Sequence, residues 1–202
     1  MTSLAVVVGI GTAVATVLGV VGAFVAIGEE ARKESVHELA GCLETLVAVI
    51  NPPTAKDYDP RIRATLHRSV EGETAFEQVL DYVGDDRGGR TGGRRLPGNA
   101  GLIAKVLAER EAIAVSRPVA NHEMYIKELQ TNWGYTEEQA RARDMSAMSW
   151  MAVPLEHNGQ IGGVLFLDST KPDFFYEETR QRAVIASAVG IAKFAVRRYT
   201  QG

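Results

Sequence analysis

An uncharged apolar run near the start of the chain limits what this sequence can fold into more than any other feature. From Leu4 to Ile27 the sequence reads LAVVVGIGTAVATVLGVVGAFVAI, without a single charged residue. A helix over this run, at about 1.5 Å per residue, would be about 36 Å long, which exceeds a hydrocarbon core of about 30 Å. The run therefore predicts a transmembrane helix over residues 1–28.

A cleaved signal peptide is the alternative interpretation of this run. It is disfavoured because no basic side chain precedes the run, the apolar stretch is too long, and no A-x-A site precedes GEEARK. Arg32 and Lys33 follow the run, so the positive-inside rule places the rest of the chain in the cytoplasm. The lone cysteine, Cys42, agrees with a reducing compartment. We expect a single-pass protein of the cell inner membrane with a cytoplasmic C-terminal domain.

Small residues recur along one face of the predicted membrane helix. They let two helix backbones approach closely, which favours association between membrane helices. Glycine and alanine are also simply common in membrane helices, and threonine hydroxyls often bond to the carbonyls of their own helix. We predict that this face packs against other subunits of a dimer or tetramer or lines a pore. Its key positions are Gly9, Thr12, Thr16, Gly19 and Ala23.

A heptad-like spacing follows the apolar run. Steps of three and four residues separate Val36, Leu39, Leu43, Leu46 and Ile50. This spacing is typical of a short coiled-coil seam, and it predicts a connecting helix over residues 29–52 that joins the subunits of a homo-oligomer. Prolines then end the helix, so the folded domain is expected over residues 53–202.

The rest of the chain alternates between strand-like and helix-like patterns. RIRATLHRSVEG and AFEQVLDYVG predict strands, and WMAVPLEHNGQIGGVLFLDST predicts a hairpin whose turn is HNG. Helical spacing in NAGLIAKVLAERE and in NHEMYIKELQTNWGYTEEQARARDMS, where Thr136 and Gln139 suit a capping box, predicts helices between the strands. A last helix is predicted from Tyr176 to Tyr199. This order of elements predicts an α+β domain with an antiparallel sheet.

Three segments of this domain carry a family resemblance: LPGNAGLIAKVLAEREAIAV, SWMAVPLEHNGQIGGVLFLDS and DFF. In their order and spacing they resemble the GAF domain, over the part of the chain from Val36 to Arg198. The resemblance implies an antiparallel sheet flanked by helices, with a ligand pocket on one side of the sheet. It also implies that the first and last helices pair between subunits, and that the domain is a binding or regulatory module rather than an enzyme.

The sequence departs from several branches of that family. The residues after Phe174 run FYEE, which breaks the signature of the members that bind cyclic nucleotides. Bilin attachment and methionine sulfoxide reduction both need cysteines in the pocket region, whereas Cys42 lies in the first helix of the domain. The four histidines are scattered without the spacing of a metal site. We therefore expect no enzymatic activity, no metal and no other cofactor.

A stretch rich in glycine and arginine, GDDRGGRTGGRRLPGNAG, is the first candidate for a ligand site. It lacks the lysine and the serine or threonine of a P-loop, so it is not an NTPase site. Guanidinium groups and the backbone N–H groups of a following helix N-terminus can nevertheless bind phosphate. A solvated loop whose arginines balance two aspartates is the alternative. The candidate residues are Arg87, Arg90, Arg94, Arg95, Gly98 and Asn99.

Aromatic and polar residues from the predicted pocket segments complete the candidate site. Planar rings can stack on a flat ligand, although packing in the core is the alternative for each ring. An aspartate at the end of VLFLDS can make polar contacts to a ligand or cap a turn. These candidates are Tyr125, Trp133, Tyr135, Trp150 and Asp168. Arg141 and Arg143, by contrast, are expected on a solvated helix face.

These features predict a membrane-anchored oligomeric sensor that binds a small anionic ligand, with a nucleotide or a short oligonucleotide as candidates. Because no residues remain after the domain to form an output, we expect the ligand to control an ion channel or a membrane-perturbing assembly. Short antiviral defence effectors of bacteria have this outline, which is an analogy only. The alternative is a non-conducting sensory adaptor that signals to a separately encoded kinase or regulator.

Overall fold

The computed structural model describes residues 36–70, 74–85, 89–117, 121–143 and 145–199. Arg87 and the predicted membrane helix, including Gly9, Thr12, Thr16, Gly19 and Ala23, lie outside these residues. Among the helices that are described, none is both long and apolar enough to cross a membrane. The transmembrane helix, its orientation and the inner-membrane location therefore stay predictions.

The described residues contain five α-helices, one 3-10 helix and seven β-strands. The helices are α1 over residues 36–50, α2 (Gly101–Glu109), α3 (His122–Trp133), α4 (Glu137–Arg141), the 3-10 helix Phe174–Tyr176 and α5 (Glu178–Tyr199). The strands are β1 (Arg63–Ser69), β2 (Ala75–Gln78), β3 (Val83–Gly84), β4 (Arg95–Pro97), β5 (Ile113–Ser116), β6 (Ser149–His157) and β7 (Gln160–Ser169). The chain divides after Leu39, and the described residues from Ala40 onward form one compact unit.

The strands pair into one antiparallel sheet, in the order β4-β2-β1-β7-β6-β5, with β3 beside β1. The hairpin β6–β7 lies near the middle of this sheet, and its turn is at Asn158 and Gly159. Both residues have a positive φ, 52° and 77°, which is the backbone that a two-residue hairpin turn needs. The HNG sequence therefore predicted the turn correctly.

Helices flank the sheet and bury its central strands. The last helix, α5, packs across β6 and β7 and buries Val184, Ala188 and Ala195. At Gly162 of β7 an added Cβ would lie 2.5 Å from the backbone nitrogen of Val196, so only glycine lets α5 approach this closely. The helix α2 packs through Val106 and its neighbours against β2, β6 and β7. The predicted α+β class, with an antiparallel sheet flanked by helices, is confirmed.

The connecting helix uses its apolar stripe differently from the prediction. Leu43, Leu46 and Ile50 are at most 5% exposed within a single chain. These side chains fill the core of their own domain and are not available for a coiled-coil seam between subunits. The spacing of three and four residues predicted the buried face of α1 correctly, but that spacing does not distinguish an intramolecular partner from an intermolecular one.

A buried arginine of α5 holds the C-terminal end of α1. Its Nε donates to the carbonyl oxygen of Ile50 at 3.0 Å, and Nη1 donates to the carbonyl oxygen of Phe174. Its Nη2 forms a 2.7 Å ion pair with Asp57, which lowers the pKa of that carboxyl group. This residue, Arg180, therefore satisfies one of the carbonyls that every helix leaves unpaired at its C-terminus.

Candidate ligand-binding cavity

A cavity of about 110 Å³ opens between the sheet and the helices α2 and α3. It is lined by side chains from most strands of the sheet, from the start of α2, from α3 and from the segment that follows α4. Ring-bearing side chains dominate the lining, and we refer to it as the aromatic cavity. These ring-bearing residues are His67, Phe76, Tyr82, Tyr125, Trp133, Tyr135, Trp150 and Phe166.

Several of these rings are held in fixed orientations by their neighbours. Tyr125 of α3 and Trp150 of β6 are stacked, with ring centroids 5.8 Å apart and planes inclined by only 5°. Behind Tyr125 lies the guanidinium group of Arg117, with Cζ 4.3 Å from the ring centroid. Such contacts fix the rings before any ligand arrives. The walls of the cavity are therefore flat and preorganised.

His67 is the most unusual polar residue of this lining. It lies on β1, is 2% exposed, and contacts the ring of Phe166 edge-on with centroids 5.7 Å apart. Neither Nδ1 nor Nε2 has a hydrogen-bond partner in the described part of the chain. Burial, reinforced by the positive charges of Arg94 and Arg143, lowers the pKa of His67 to about 3. The imidazole is therefore neutral near pH 7, with one nitrogen as a donor and the other as an acceptor.

Two arginines bring positive charge to the aromatic cavity. Arg94 precedes β4 and hydrogen-bonds to Tyr82, while the guanidinium of Arg143 lies over the ring of Tyr135, 4.5 Å from its centroid. Among the described residues, neither arginine forms an ion pair with a carboxylate. The described part of the lining contains one acidic side chain, Glu128, so its two arginines against one glutamate leave one net positive charge. The electrostatics of the lining favour an anion.

The tyrosines of the lining remain protonated. Burial raises the pKa of Tyr82, and the negative charge of Asp168 raises it further. Burial is also the main reason that the pKa values of Tyr125 and Tyr135 are raised. These phenols are therefore hydrogen-bonding groups rather than bases near neutral pH.

The N-terminus of α2 faces the same cavity. Its first residue, Gly101, has φ of 85°, and a Cβ there would lie 1.9 Å from the hydroxyl oxygen of Tyr135. Ala100 precedes the helix and offers no side-chain cap, and Ala100, Leu102 and Ile103 all line the cavity. The unpaired N–H groups and positive dipole end of a helix therefore lie beside the two arginines.

Comparison with known proteins decides the family. The sequence profile described as GAF domain matches residues 33–192, which is more than half of the chain. The chain belongs to the GAF domain family. Among curated proteins, none matches it.

Three solved structures share the fold of this GAF domain. The type II free methionine-R-sulfoxide reductase of Thermoplasma acidophilum is 13% identical, with a TM-score of 0.56, over 83% of this chain and 96% of that one. Residues 122 to 287 of a methyl-accepting chemotaxis protein are 19% identical, with a TM-score of 0.52, over 84% of this chain and 94% of that one. The GAF domain of an Acinetobacter phosphoenolpyruvate-protein phosphotransferase is 14% identical, with a TM-score of 0.50, over 80% of this chain and 95% of that one.

These likenesses show the fold and nothing finer. The family is one of small-molecule sensory domains, so the coarse function of this chain is that of a sensory domain. One of the similar structures is an enzyme, which means that the fold alone does not decide between sensing and catalysis.

The GAF domain brings together some of the residues that the sequence singled out and leaves others apart. Arg94, Tyr125, Trp133, Tyr135 and Trp150 line the aromatic cavity. Arg90, Arg95 and Asn99 are exposed and do not line it. The backbone of Gly98 lies against Thr74, where a Cβ would be 2.7 Å from a backbone carbon.

Asp168 lies behind the cavity rather than in its lining. Both of its carboxylate oxygens accept from Nε of Arg63 at 2.9 Å, and this ion pair is buried. The guanidinium of Arg63 in turn lies 4.1 Å from the ring centroid of Tyr82. Asp168 therefore supports a residue of the lining through Arg63.

Most of the lining was not proposed from the sequence, including four side chains that matter for its chemistry. His67, Tyr82 and Phe166 were not proposed, and Arg143 was expected on a solvated helix face. That expectation was wrong because α4 ends at Arg141, so Arg143 follows a turn that directs it to the cavity. One signal was available in advance, since RATLHRS places a titratable histidine within a predicted strand.

Proposed function

We propose that this GAF domain is a non-catalytic sensor that binds a small anionic molecule in the aromatic cavity. The observation that carries the proposal is His67, a buried ring with two nitrogens that lack partners among the described residues. Leaving such atoms unpaired costs about 1–3 kcal/mol each, so they are rare in folded proteins. A ligand with a polar edge would pair with them, and Arg94 and Arg143 would balance its charge.

The size of the aromatic cavity limits the ligand. A volume of about 110 Å³ lies below the roughly 300–1,000 Å³ of pockets for drug-sized molecules. It is of the same order as an engineered cavity of about 150 Å³ that binds benzene. A nucleotide or a short oligonucleotide would have to leave its sugar and phosphate outside, near Arg94 and Arg95. We therefore favour a ligand of one ring or less.

The non-catalytic part of the proposal rests on the chemistry of the lining. Covalent catalysis needs a nucleophile beside a base that is itself held in place by a third group. Cys42, the only cysteine of the chain, is exposed on α1 and does not line the cavity. We expect Cys42→Ser to leave ligand affinity and any turnover of the ligand unchanged. Loss of a measured activity in this variant would favour an enzyme instead.

We propose that the signal passes to the membrane. This step rests on the uncharged run from Leu4 to Ile27 and on its face of small residues. In a homo-oligomer of a membrane-anchored chain, ligand binding would open or close a pore or a membrane-perturbing assembly, in the manner of an antiviral defence effector. The second candidate is an adaptor in the same membrane that recruits a separately encoded kinase or regulator.

Dye release from liposomes separates the two outputs. The purified full chain is reconstituted with and without a bound ligand, and the matched variant carries a poly-Leu helix in place of residues 4–27. A pore predicts release that depends on the ligand and disappears in the variant. No release with any ligand that binds the protein would exclude the pore and leave the adaptor.

Ligand binding itself has a built-in reporter. The chain has two tryptophans, Trp133 and Trp150, and both line the aromatic cavity. We expect a saturable change of tryptophan fluorescence when a panel of small organic acids and neutral molecules is titrated into the full chain in mild detergent. Filling the cavity with Val115→Phe should abolish the change. If no compound of the panel alters fluorescence or the melting temperature, the cavity is not a binding site.

A further inference from the structure

We infer that the ligand of the aromatic cavity is a planar carboxylate with a single aromatic ring. This inference rests on the proposed function, since it names the chemical class of the molecule that the sensor binds. It follows from three separate properties of the lining, namely its shape, its net charge and its hydrogen-bonding groups.

The shape of the cavity selects a flat ring. Trp150 and Tyr125 stack on each other with nearly parallel planes, and Phe76, Phe166 and Trp133 add further rings to the same lining. Aromatic rings attract one another in stacked and edge-on arrangements, and a ligand ring could adopt either arrangement against these side chains. The volume of about 110 Å³ holds one ring with a small substituent and excludes a sugar and phosphate as well.

The charge of the cavity selects a monoanion. Arg94 donates a hydrogen bond to Tyr82, and Arg143 lies on the face of Tyr135, so the partners of both arginines among the described residues are uncharged. A guanidinium is planar and pairs with a carboxylate through two parallel hydrogen bonds. Glu128 reduces the net charge of the lining to one, which suits a carboxylate better than a doubly charged phosphate.

The α2 N-terminus adds to the same preference. Its first turn lines the cavity through Ala100, Leu102 and Ile103, and no side chain of the described residues caps it. The unpaired polar atoms of the buried His67 in the same lining are an independent indication that a polar ligand belongs there. An anionic group at this position would accept from the backbone N–H groups.

The imidazole of His67 favours a polar substituent on the aromatic ring of the ligand. A neutral histidine presents one donor and one acceptor, which a hydroxyl group matches because it can both donate and accept. A hydroxylated benzoate would therefore bind more tightly than benzoate itself.

Four probes test this inference on the full chain in mild detergent. Benzoate is compared with benzamide, which has the same shape without the charge, with cyclohexanecarboxylate, which has the charge without the flat ring, and with AMP. Tryptophan fluorescence gives each Kd, and the melting temperature provides a second readout. We expect benzoate to bind about tenfold more tightly than benzamide, because hydrogen bonds to charged groups are worth that much. Benzoate should also bind more tightly than cyclohexanecarboxylate, because only a flat ring can stack on the aromatic rings of the lining.

Substitution of the arginines shows whether the charge acts inside the cavity. Arg94→Gln and Arg143→Gln should each weaken benzoate by about tenfold and leave benzamide unchanged, so benzamide reports that the variant is folded. The matched control is Arg141→Gln. Arg141 is exposed on α4, where it pairs with Glu137 and Glu123, and it lies two positions before Arg143. This control should bind benzoate as the unmodified chain does.

The possible failures have different meanings. Equal affinities for benzoate and benzamide would overturn the carboxylate, and equal affinities for benzoate and cyclohexanecarboxylate would overturn the aromatic ring. Binding of AMP alone would replace the inference with a nucleotide. In each of these cases the cavity still binds a small molecule, so the proposed function survives. If no probe and no compound of the wider panel binds, the proposed function itself fails.

Discussion

Replacing His67 by phenylalanine should make the domain more stable and abolish ligand binding. The ring of phenylalanine has nearly the same size and can keep the edge-on contact with Phe166. It carries neither of the two buried nitrogens that lack partners among the described residues. Removing a buried unpaired polar group is worth about 1–3 kcal/mol, so we expect His67→Phe to raise the free energy of unfolding by that amount near pH 7.

The stability that His67→Phe gains over the unmodified chain should increase as the pH falls. The pKa of His67 is about 3 in the folded chain and 6.5 for an unperturbed histidine, so between these values the unfolded chain binds the extra proton. Stability is therefore lost as the pH falls through this window, by about 1.4 kcal/mol per pH unit. Because phenylalanine does not titrate, the advantage of His67→Phe should increase by about 3 kcal/mol between pH 6.5 and pH 4.

Thermal unfolding of the full chain, followed by tryptophan fluorescence at several pH values, measures this difference. Asp57 and Asp59 also have lowered pKa values, so both chains lose stability in acid for that reason, and this loss cancels in the comparison. Each kcal/mol corresponds to a shift of about 2–4 °C for a chain of this size. The matched control is His122→Phe, which removes a histidine that is exposed at the start of α3.

Two results would refute this reasoning. One is a melting-temperature difference between His67→Phe and the unmodified chain that stays constant with pH. The other is a variant that is less stable at every pH. Either result would mean that the ring nitrogens of His67 are satisfied in solution, which would remove the observation that carries the proposed function.

Two further predictions concern the backbone around the cavity and the end of α1. Gly101→Ala should lower the free energy of unfolding by about 1–3 kcal/mol, because alanine at φ of 85° is strained and its Cβ would meet the hydroxyl of Tyr135. Gly41→Ala on α1, where a Cβ meets no described atom within 4 Å, should instead raise the free energy of unfolding by about 0.5–1 kcal/mol. Urea unfolding measures both variants, and equal effects of the two substitutions would show that this argument is wrong. Arg180→Met should cost about 1–3 kcal/mol for each carbonyl left unpaired at Ile50 and Phe174, and it should return the pKa of Asp57 toward its usual value, which NMR titration can follow. An unchanged Asp57 pKa would show that this ion pair is absent in solution.

Local rules account for the part of the fold that was predictable from sequence. The hairpin turn at Asn158 and Gly159 and the capping box of Thr136 and Gln139 depend on residues within one turn of each other. The order of helices and strands follows from the period of apolar residues. The short strand β4 was missed, and β3 was not separated from β2 within AFEQVLDYVG, because two or three residues carry no period and are held only by pairing with β1 and β2.

The candidate site depends on contacts that no local rule contains. Arg94 lines the cavity while Arg95, which lies opposite Glu77 of β2, does not, because successive side chains of an extended segment point to opposite faces. Similarly, Arg143 reaches Tyr135 only because α4 has ended at Arg141. Strand register and the position at which a helix ends therefore decide which of two nearby arginines reaches the cavity.

The sequence by itself determined the class of the domain, its order of elements and the apolar stripe of α1. Only the tertiary structure decided that this stripe fills its own core, that His67 is buried without a partner in the described chain, and that two arginines converge on a cavity of aromatic rings. The physical reason is the distance along the chain over which each effect acts. Propensity and periodicity act over a few residues, whereas burial, and the pKa shift it causes at His67, comes from side chains as far apart in sequence as β1 and β7.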